Sequence, residues 1–428
     1  MNFSIKYGIE KKKISSLGGN VLVKELNELI SLRKIAGAGL PENKRRSGYD
    51  KFLGLYYGFI DGAECLDDMS ILGREELFSN LVKTFNPTMY GKYLKSFDKT
   101  QTEQLRIGLC KQAVKLRSCS MGFGEEVVFD IDSTKHRQYG LKMEGVNYSY
   151  TNEPCLDSLS VYDEYGFCYW FELRPGETYS SNGSSLAINS VIKQLPYSKR
   201  RRYYIRGDSA FSNSEFYHSS YVNKLKFVCA MKSNVYNRFR VQTHNWRSSR
   251  KIYFGDGRRA EVGSYVYFPD GSPQALRIVF MRARKQNVDQ YNLLPEDCYD
   301  YHAFVTNISE HEMNNEKILL FYRKRGNAEN FIREMKNGFD LKHFPCQKLS
   351  ANRVYGIIAC YSYNTMRYLG TLISKKKIPF SKRIRFSLIN LACQVIRHAR
   401  YLIVKFPEQT YGEVMRLIKE MKLQTQYG

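Results

Sequence analysis

Val127-Val128-Phe129-Asp130-Ile131-Asp132, followed by Ser133-Thr134, is the stretch whose reading decides the fold. It is compact, β-branched and aromatic, and it reads as a buried strand. Side chains alternate along a strand, so Asp130 and Asp132 point the same way, with Val128 beneath them. Two carboxylates side by side repel each other and are costly to bury. A divalent cation removes that cost, and carboxylates at a strand end hold Mg²⁺ through one or two protein ligands plus substrate phosphate. Either aspartate can serve as that ligand.

Downstream, residues 146–150 and 167–173 read as further strands and 184–195 as a helix. The run Lys199-Arg200-Arg201-Arg202 leads into a strand over 203–206 that ends at Gly207-Asp208. Ser212-x-x-Glu215 has the form of a capping box and predicts a helix to about Asn223, with another strand at 227–231. Strands followed by crossover helices predict an α/β sheet. Asp208 then sits just past a strand's carboxyl end, the usual place for ligand sites in open α/β sheets.

Residues 233–308 change character. Turns at Gly255-Asp256-Gly257 and Pro269-Asp270-Gly271-Ser272, with strand candidates at 275–282 and 302–306, predict a β-rich insertion. Helices are expected at 317–339 and 352–373. The chain ends with 386–404 and a short helix near 411–421. Residues 1–120 read as helical, with apolar spacing at 20–32, 53–60 and 101–116. Asn86-Pro87-Thr88 opens a short helix that could offer backbone N–H groups, Thr88 and Lys92 to a phosphate, or simply start a bundle helix.

Composition narrows the partners. Lys and Arg outnumber Asp and Glu by 66 to 42, a net charge of +24, whose self-repulsion a polyanion would relieve. Nucleic acid fits first, an anionic membrane surface second, and mere solubility third. The 33 tyrosines and 25 phenylalanines supply rings that could stack on unpaired bases, although most of them are needed for a core. Ten cysteines without a CxxC argue against a zinc ribbon or a disulfide framework, so reduced thiols in a cytoplasm are expected. Met1-Asn2-Phe3-Ser4-Ile5-Lys6 lacks the apolar stretch of a signal peptide. No apolar run reaches the ~18 residues a membrane span needs. The length of 428 residues suggests two to four domains at ~100–200 residues each.

On the expected helix 317–339, Tyr322, Arg325, Glu329 and Lys336 fall within an arc of roughly 60° at about 100° per residue. One face would carry a carboxylate between cations able to hold the phosphates flanking a scissile bond. The alternative is a solvated face with an Arg325–Glu329 pair. Tyr322-x2-Arg325-x3-Glu329-x6-Lys336 resembles, without a gap, the Y-x2-R-x3-E-x6-K (YREK) signature of a large group of bacterial insertion-sequence DDE transposases. Asp132-x-Thr134 resembles that group's first catalytic aspartate, and Arg206-Gly207-Asp208-Ser209-Ala210-Phe211 its second. The resemblance covers about 126–340. It extends more loosely through Ser16-Leu17-Gly18-Gly19 and Leu66-Asp67-Asp68-Met69.

The resemblance implies an α/β fold. A ribonuclease H-like catalytic core would occupy 121–232 and 309–345, interrupted by the β-rich insertion at 233–308. Helical regions would flank it, a DNA-binding one at 1–120 and another at 346–428. Asp132, Asp208 and Glu329 would be catalytic and would hold two Mg²⁺ ions, with Mn²⁺ able to substitute. Asp130 remains the alternative first ligand. Tyr322, Arg325, Arg333 and Lys336 would grip DNA. Trp246 in the insertion would stack on a flipped base, or pack the insertion's own core. His136, Arg137 and the basic clusters Lys44-Arg45-Arg46, Lys199–Arg202 and Lys375-Lys376-Lys377 with Lys382-Arg383-x-Arg385 would contact DNA or stand solvated. The implied activity is DNA transposition by cleavage and strand transfer at terminal inverted repeats. It would be carried out on double-stranded DNA by a homodimer, in the bacterial cytoplasm at the nucleoid and without a membrane. The rivals are a ribonuclease H-like nuclease that never joins strands and an inactive DNA-binding remnant.

Overall fold

The computed structural model describes residues 12–41, 45–148, 152–286 and 295–427. Met1–Lys6, residues 149–150 and the side chains of Lys44, Arg45 and Arg46 lie outside the described residues. The chain divides into two compact units. One is helical and combines the chain up to Gly122 with Lys142–Glu144 and everything from Glu334; the other holds Phe123–Leu141 and Gly145–Arg333.

The amino-terminal part of the helical unit contains β1 (Ile14–Ser15), α1 (Asn20–Leu29), α2 (Leu32–Gly37), α3 (Arg45–Asp61), α4 (Asp68–Leu72), α5 (Glu76–Leu81), α6 (Pro87–Leu94) and α7 (Lys99–Ser120). Local chemistry starts these helices. Asn86 caps α6 through a bond from the Met89 N–H at 2.8 Å, with Pro87 in the first turn. Asp98 and Gln101 form a reciprocal capping box on α7.

The second unit contains β2 (Glu126–Arg137), β3 (Asn147–Tyr148), β4 (Pro154–Asp163), β5 (Cys168–Pro175), α8 (Ser184–Gln194), β6 (Arg202–Gly207), α9 (Ser214–Val222), β7 (Lys226–Ala230), α10 (Ser233–Arg240), β8 (Arg247–Tyr253), β9 (Arg259–Tyr267), β10 (Leu276–Arg284), β11 (Tyr299–Thr306), α11 (Asn315–Arg323) and the start of α12 (Gly326–Gly338). Its described strands form one ten-stranded sheet in the order β3-β4-β2-β6-β7-β11-β10-β9-β8, with β5 also on β4. β2, β4 and β5 pair antiparallel, whereas β6 and β7 run parallel to β2.

Four features differ from the sequence reading. β4 is not anticipated, because Asp157, Ser158 and Ser160 make it look like a loop. It runs between β2 and β5, and there Arg174 and Lys135 neutralise the fully buried Asp157. The Ser212 capping box does not form. Asn213 caps α9 by accepting from the Phe216 N–H at 3.0 Å, and the Ser212 hydroxyl meets the Tyr217 hydroxyl at 2.7 Å. The β-rich segment opens with a helix, α10, and its strands continue the core sheet, since β11 pairs antiparallel with β7. One apolar cluster therefore joins Tyr204 and Val228 of the core strands to Val262, Val279 and Met281, with Ile318 and Leu319 of α11 packed on them. The fourth difference is a break. Residues 317–339 form two helices, α11 and α12, because the chain turns at Lys324–Arg325.

The carboxyl-terminal part contains α13 (Leu349–Ile373), α14 (Ser381–Ile384), β12 (Cys393–His398), β13 (Tyr401–Lys405) and α15 (Glu408–Tyr427). α13 is buried along almost its whole length. It is tied to α7 and α3 by polar bonds inside the core. The Tyr361 hydroxyl donates to the Leu105 carbonyl at 2.9 Å, and that of Ser362 to the Tyr56 carbonyl at 2.8 Å. The expectation of a purely helical 346–428 fails at 393–405. There Cys393 and Val395 alternate inward onto Leu77, and β12–β13 form a hairpin completed by β1. α15 is longer than the helix expected near 411–421. No described helix is long and apolar enough to cross a membrane.

Candidate active site

The site grows from the middle of the sheet. β2 and β6 are parallel neighbours, and their register sets Asp130 directly across from Arg206. Asp130 is fully buried. Both its oxygens are taken by the Arg206 fork, Oδ1 by Nε and Oδ2 by Nη2, each at 2.7 Å. Burial still pushes the Asp130 carboxyl upward, against the pull of Arg206.

Asp132 lies two residues on, past the last β2–β6 rung and opposite Ser160 of β4. It is 8% exposed. Its carboxyl is pushed up to about 6, first by burial. Arg325 and the Ser133 N–H pull it down, while the negative charges of Asp208 and Glu329 raise it. These two carboxylates therefore both bear electrostatically on Asp132.

Asp208 is placed by a tight turn at the end of β6. Its Oδ1 accepts from the Ala210 N–H at 2.8 Å and caps the short turn Ser209–Phe211. A Cβ at Gly207 would stand 2.9 Å from the Phe211 Cβ, so only glycine lets the chain double back without a shift. On β7, opposite Gly207, burial and then Asp208 push the Cys229 thiol well up.

The sequence reading places Tyr322, Arg325 and Glu329 on one continuous helix face, and the break corrects this. Tyr322 lies in the last turn of α11, with its ring 4.5 Å from that of Phe304 and its hydroxyl pushed up by burial. Arg325 stands in the break, 8% exposed, with Nη2 at 2.9 Å from Asp132 Oδ1. Its buried Nε has no hydrogen-bond partner among the described residues. Glu329 lies exposed in the first turn of α12. Phe331, two residues further on, packs over Gly166 in the β4–β5 turn and near the Tyr162 ring. Arg333 is exposed, bonding Asn330 at 2.6 Å, and Lys336 follows on the same helix, partly buried.

The remaining candidates stand elsewhere. Trp246 is half-buried, with the Arg282 guanidinium 3.9 Å from its ring centre and Phe280 and Tyr301 at 6.2 and 6.0 Å. Lys92 is exposed on α6. His136 is not a loop residue. It is buried in β2, its Nε2 2.7 Å from the Ser158 hydroxyl, while Arg137 beside it is exposed near Glu153. Two members of the basic clusters are structural: Arg201 binds the Phe123, Gly124 and Pro196 carbonyls, and Arg385 binds those of Phe59, Ile60 and Gly338. Lys199, Arg200, Lys375, Lys376, Lys377, Lys382 and Arg383 are exposed.

Among the described residues, no three His, Cys, Asp or Glu side chains stand close enough to form a ready-made metal cage. Arg325 stands as a cation against Asp132. The donors that bear on one another are nonetheless all carboxylate oxygens, the kind that suits Mg²⁺ or Mn²⁺ and not a thiophilic metal. Sequence reasoning quoted Arg206 in the second aspartate motif but missed its part as the counterion of Asp130. Nothing local signals that it faces Asp130, because strand register alone brings them together.

A family model described as Transposase DDE domain group 1 matches residues 2–423 of the chain. No curated protein matches it. Among solved structures, the chain is similar to piggyBac transposase in a cryo-EM structure of its synaptic complex with hairpin DNA. That similarity has 13% identity and a TM-score of 0.44, and it covers 89% of this chain and 82% of that one.

Proposed function

The chain belongs to the transposase DDE domain family, and from that premise we propose that it binds the terminal inverted repeats of a bacterial insertion sequence and cuts and joins their DNA strands in the cytoplasm. One observation carries the reading: a buried Asp132, just past the last β2–β6 rung, on which the charges of Asp208 and Glu329 both act. Such mutual repulsion is what a cation would relieve. The sheet supports a ribonuclease H-like core, with three antiparallel strands beside two that run parallel to the first.

Asp132, Asp208 and Glu329 would hold the metal ions. Asp130 is the poorer donor, because Arg206 already takes both its oxygens. When bound, a pair of Mg²⁺ ions supplies activation of the attacking hydroxyl and stabilisation of the leaving oxygen. Arg325 would move its guanidinium from Asp132 to a phosphate oxygen, using the Nε that lacks a partner. Tyr322, Arg333 and Lys336 would hold the flanking backbone. Trp246 would meet a base only after Arg282 leaves its ring. Lys92 would bind phosphate away from the cut. A homodimer on double-stranded DNA would provide one site for each element end.

The test is end cleavage and strand transfer on DNA carrying a terminal repeat, with Mg²⁺ or Mn²⁺. Wild type should cut at the repeat boundary and join the product. Glu329→Gln should lose cleavage and keep end binding, since it removes a ligand and leaves the DNA-binding surface intact. Cutting without joining would favour a nuclease, and binding without cutting a remnant. Normal cleavage by Glu329→Gln would refute the site assignment.

A further inference from the structure

The buried pair Asp130–Arg206 would touch neither metal nor DNA, yet it reaches the break between α11 and α12. In an unbroken helix the Phe321 carbonyl would accept the Arg325 N–H, four residues on. Here the Arg325 N–H turns back to the Tyr322 carbonyl at 2.8 Å. The Phe321 carbonyl instead accepts Arg206 Nη1 at 2.7 Å. Arg206 thus stands in for the missing helical donor, and its guanidinium lies 5.1 Å from the Phe321 ring centre. Its other two bonds are the fork onto Asp130, so a buried cation with a bond from each of its three nitrogens links β2, β6 and the end of α11.

We propose that Arg206, held by Asp130, is a positioning residue: it keeps α11 and α12 apart, so that Arg325 turns onto Asp132 and a new helix begins whose first turn carries Glu329. The inference rests on the proposed function for its meaning in catalysis, but its structural part does not. Lysine cannot replace Arg206 here. An ammonium is a point donor and cannot make the planar fork and the third bond together. Without that bond the part-buried Phe321 carbonyl would be left unpaired, and its obvious substitute donor is the Arg325 N–H.

The experiment compares full-length wild type, Arg206→Lys and Asp130→Asn by hydrogen exchange, end affinity and cleavage of terminal-repeat DNA with Mn²⁺. In both variants the amides of residues 322–328 should exchange roughly tenfold slower or more, as the two helices join, while those of β2 and β6 keep their protection. Cleavage should fall about 100-fold with end affinity nearly unchanged, the signature of a misplaced group. A merely structural pair would loosen the whole sheet and weaken affinity and cleavage together. If Asp130→Asn does not fold, Arg206→Lys, which keeps the charge, carries the test. Unchanged exchange at 322–328 in a folded variant overturns the proposal. If wild type cuts no DNA, the transposase reading fails, and the exchange comparison still judges the strut.

Discussion

Replacing Asp132 by asparagine should change the stability of the metal-free protein in a pH-dependent way. The carboxyl moves from its ordinary 3.8 up to about 6 in the folded chain, chiefly through burial. A group whose pKa rises on folding favours the fold at low pH and loses that contribution as pH climbs through the folded pKa. At about 1.36 kcal/mol per unit, a rise from 3.8 to about 6 costs the folded chain about 3 kcal/mol at pH 8. At pH 5 roughly half of that cost remains, so the change between pH 5 and pH 8 is on the order of 1–2 kcal/mol. Asparagine has no such charge. It leaves Arg325 without its partner, but that loss does not vary over this range, because an arginine stays charged. Urea unfolding in EDTA, for wild type and Asp132→Asn at pH 5 and pH 8, isolates the effect. The stability of the variant relative to wild type should improve by about 1–2 kcal/mol on going from pH 5 to pH 8. A difference that is flat with pH, or that moves the other way, would show that Asp132 is not held in a desolvated, carboxylate-crowded place.

Two further outcomes follow from the packing. Gly166 has φ +86°, and a Cβ there would come within 2.7 Å of the Phe331 ring, so Gly166→Ala strains the turn and displaces the start of α12. It should cost on the order of 1–3 kcal/mol in urea unfolding and slow cleavage more than it weakens end binding; equal stability would refute the contact. Arg174→Met leaves the fully buried Asp157 with Lys135 alone and frees the Ser180 and Asn182 carbonyls. One-sided loss of such a pair should cost about 3–5 kcal/mol by thermal or urea unfolding, and adding Asp157→Asn should recover part of it. No recovery in the double variant would show that the two residues do not act as a pair.

The continuous sheet bears on how the enzyme carries its β-rich segment. Residues 233–308 could have formed a separate lobe. Instead β11 lies beside β7, and α11 packs across core and added strands alike. The segment that carries Trp246 is therefore held to the core strands by ladder hydrogen bonds and a shared apolar layer.

Much of this was legible in the sequence because its causes are local. Alternation over 127–132 yields a strand with two carboxylates on one face, Asn86-Pro87 starts a helix, and Gly207-Asp208 ends a strand in a turn. The order of Asp132, Asp208 and Glu329 along the chain needs no coordinates at all. Tertiary structure decided the rest. β4 is a strand because Arg174 and Lys135 make its buried Asp157 tolerable. The hairpin at 393–405 exists because Cys393 and Val395 find Leu77 to pack on. Asp130 is an internal counterion because the register of β6 sets Arg206 across from it. The helix over 317–339 breaks although its periodicity runs through, since the Phe321 carbonyl bonds a side chain 115 residues away in place of its own fourth neighbour. Periodicity states which hydrogen bonds a segment can make within itself, and only the packed fold settles whether a distant donor competes for them.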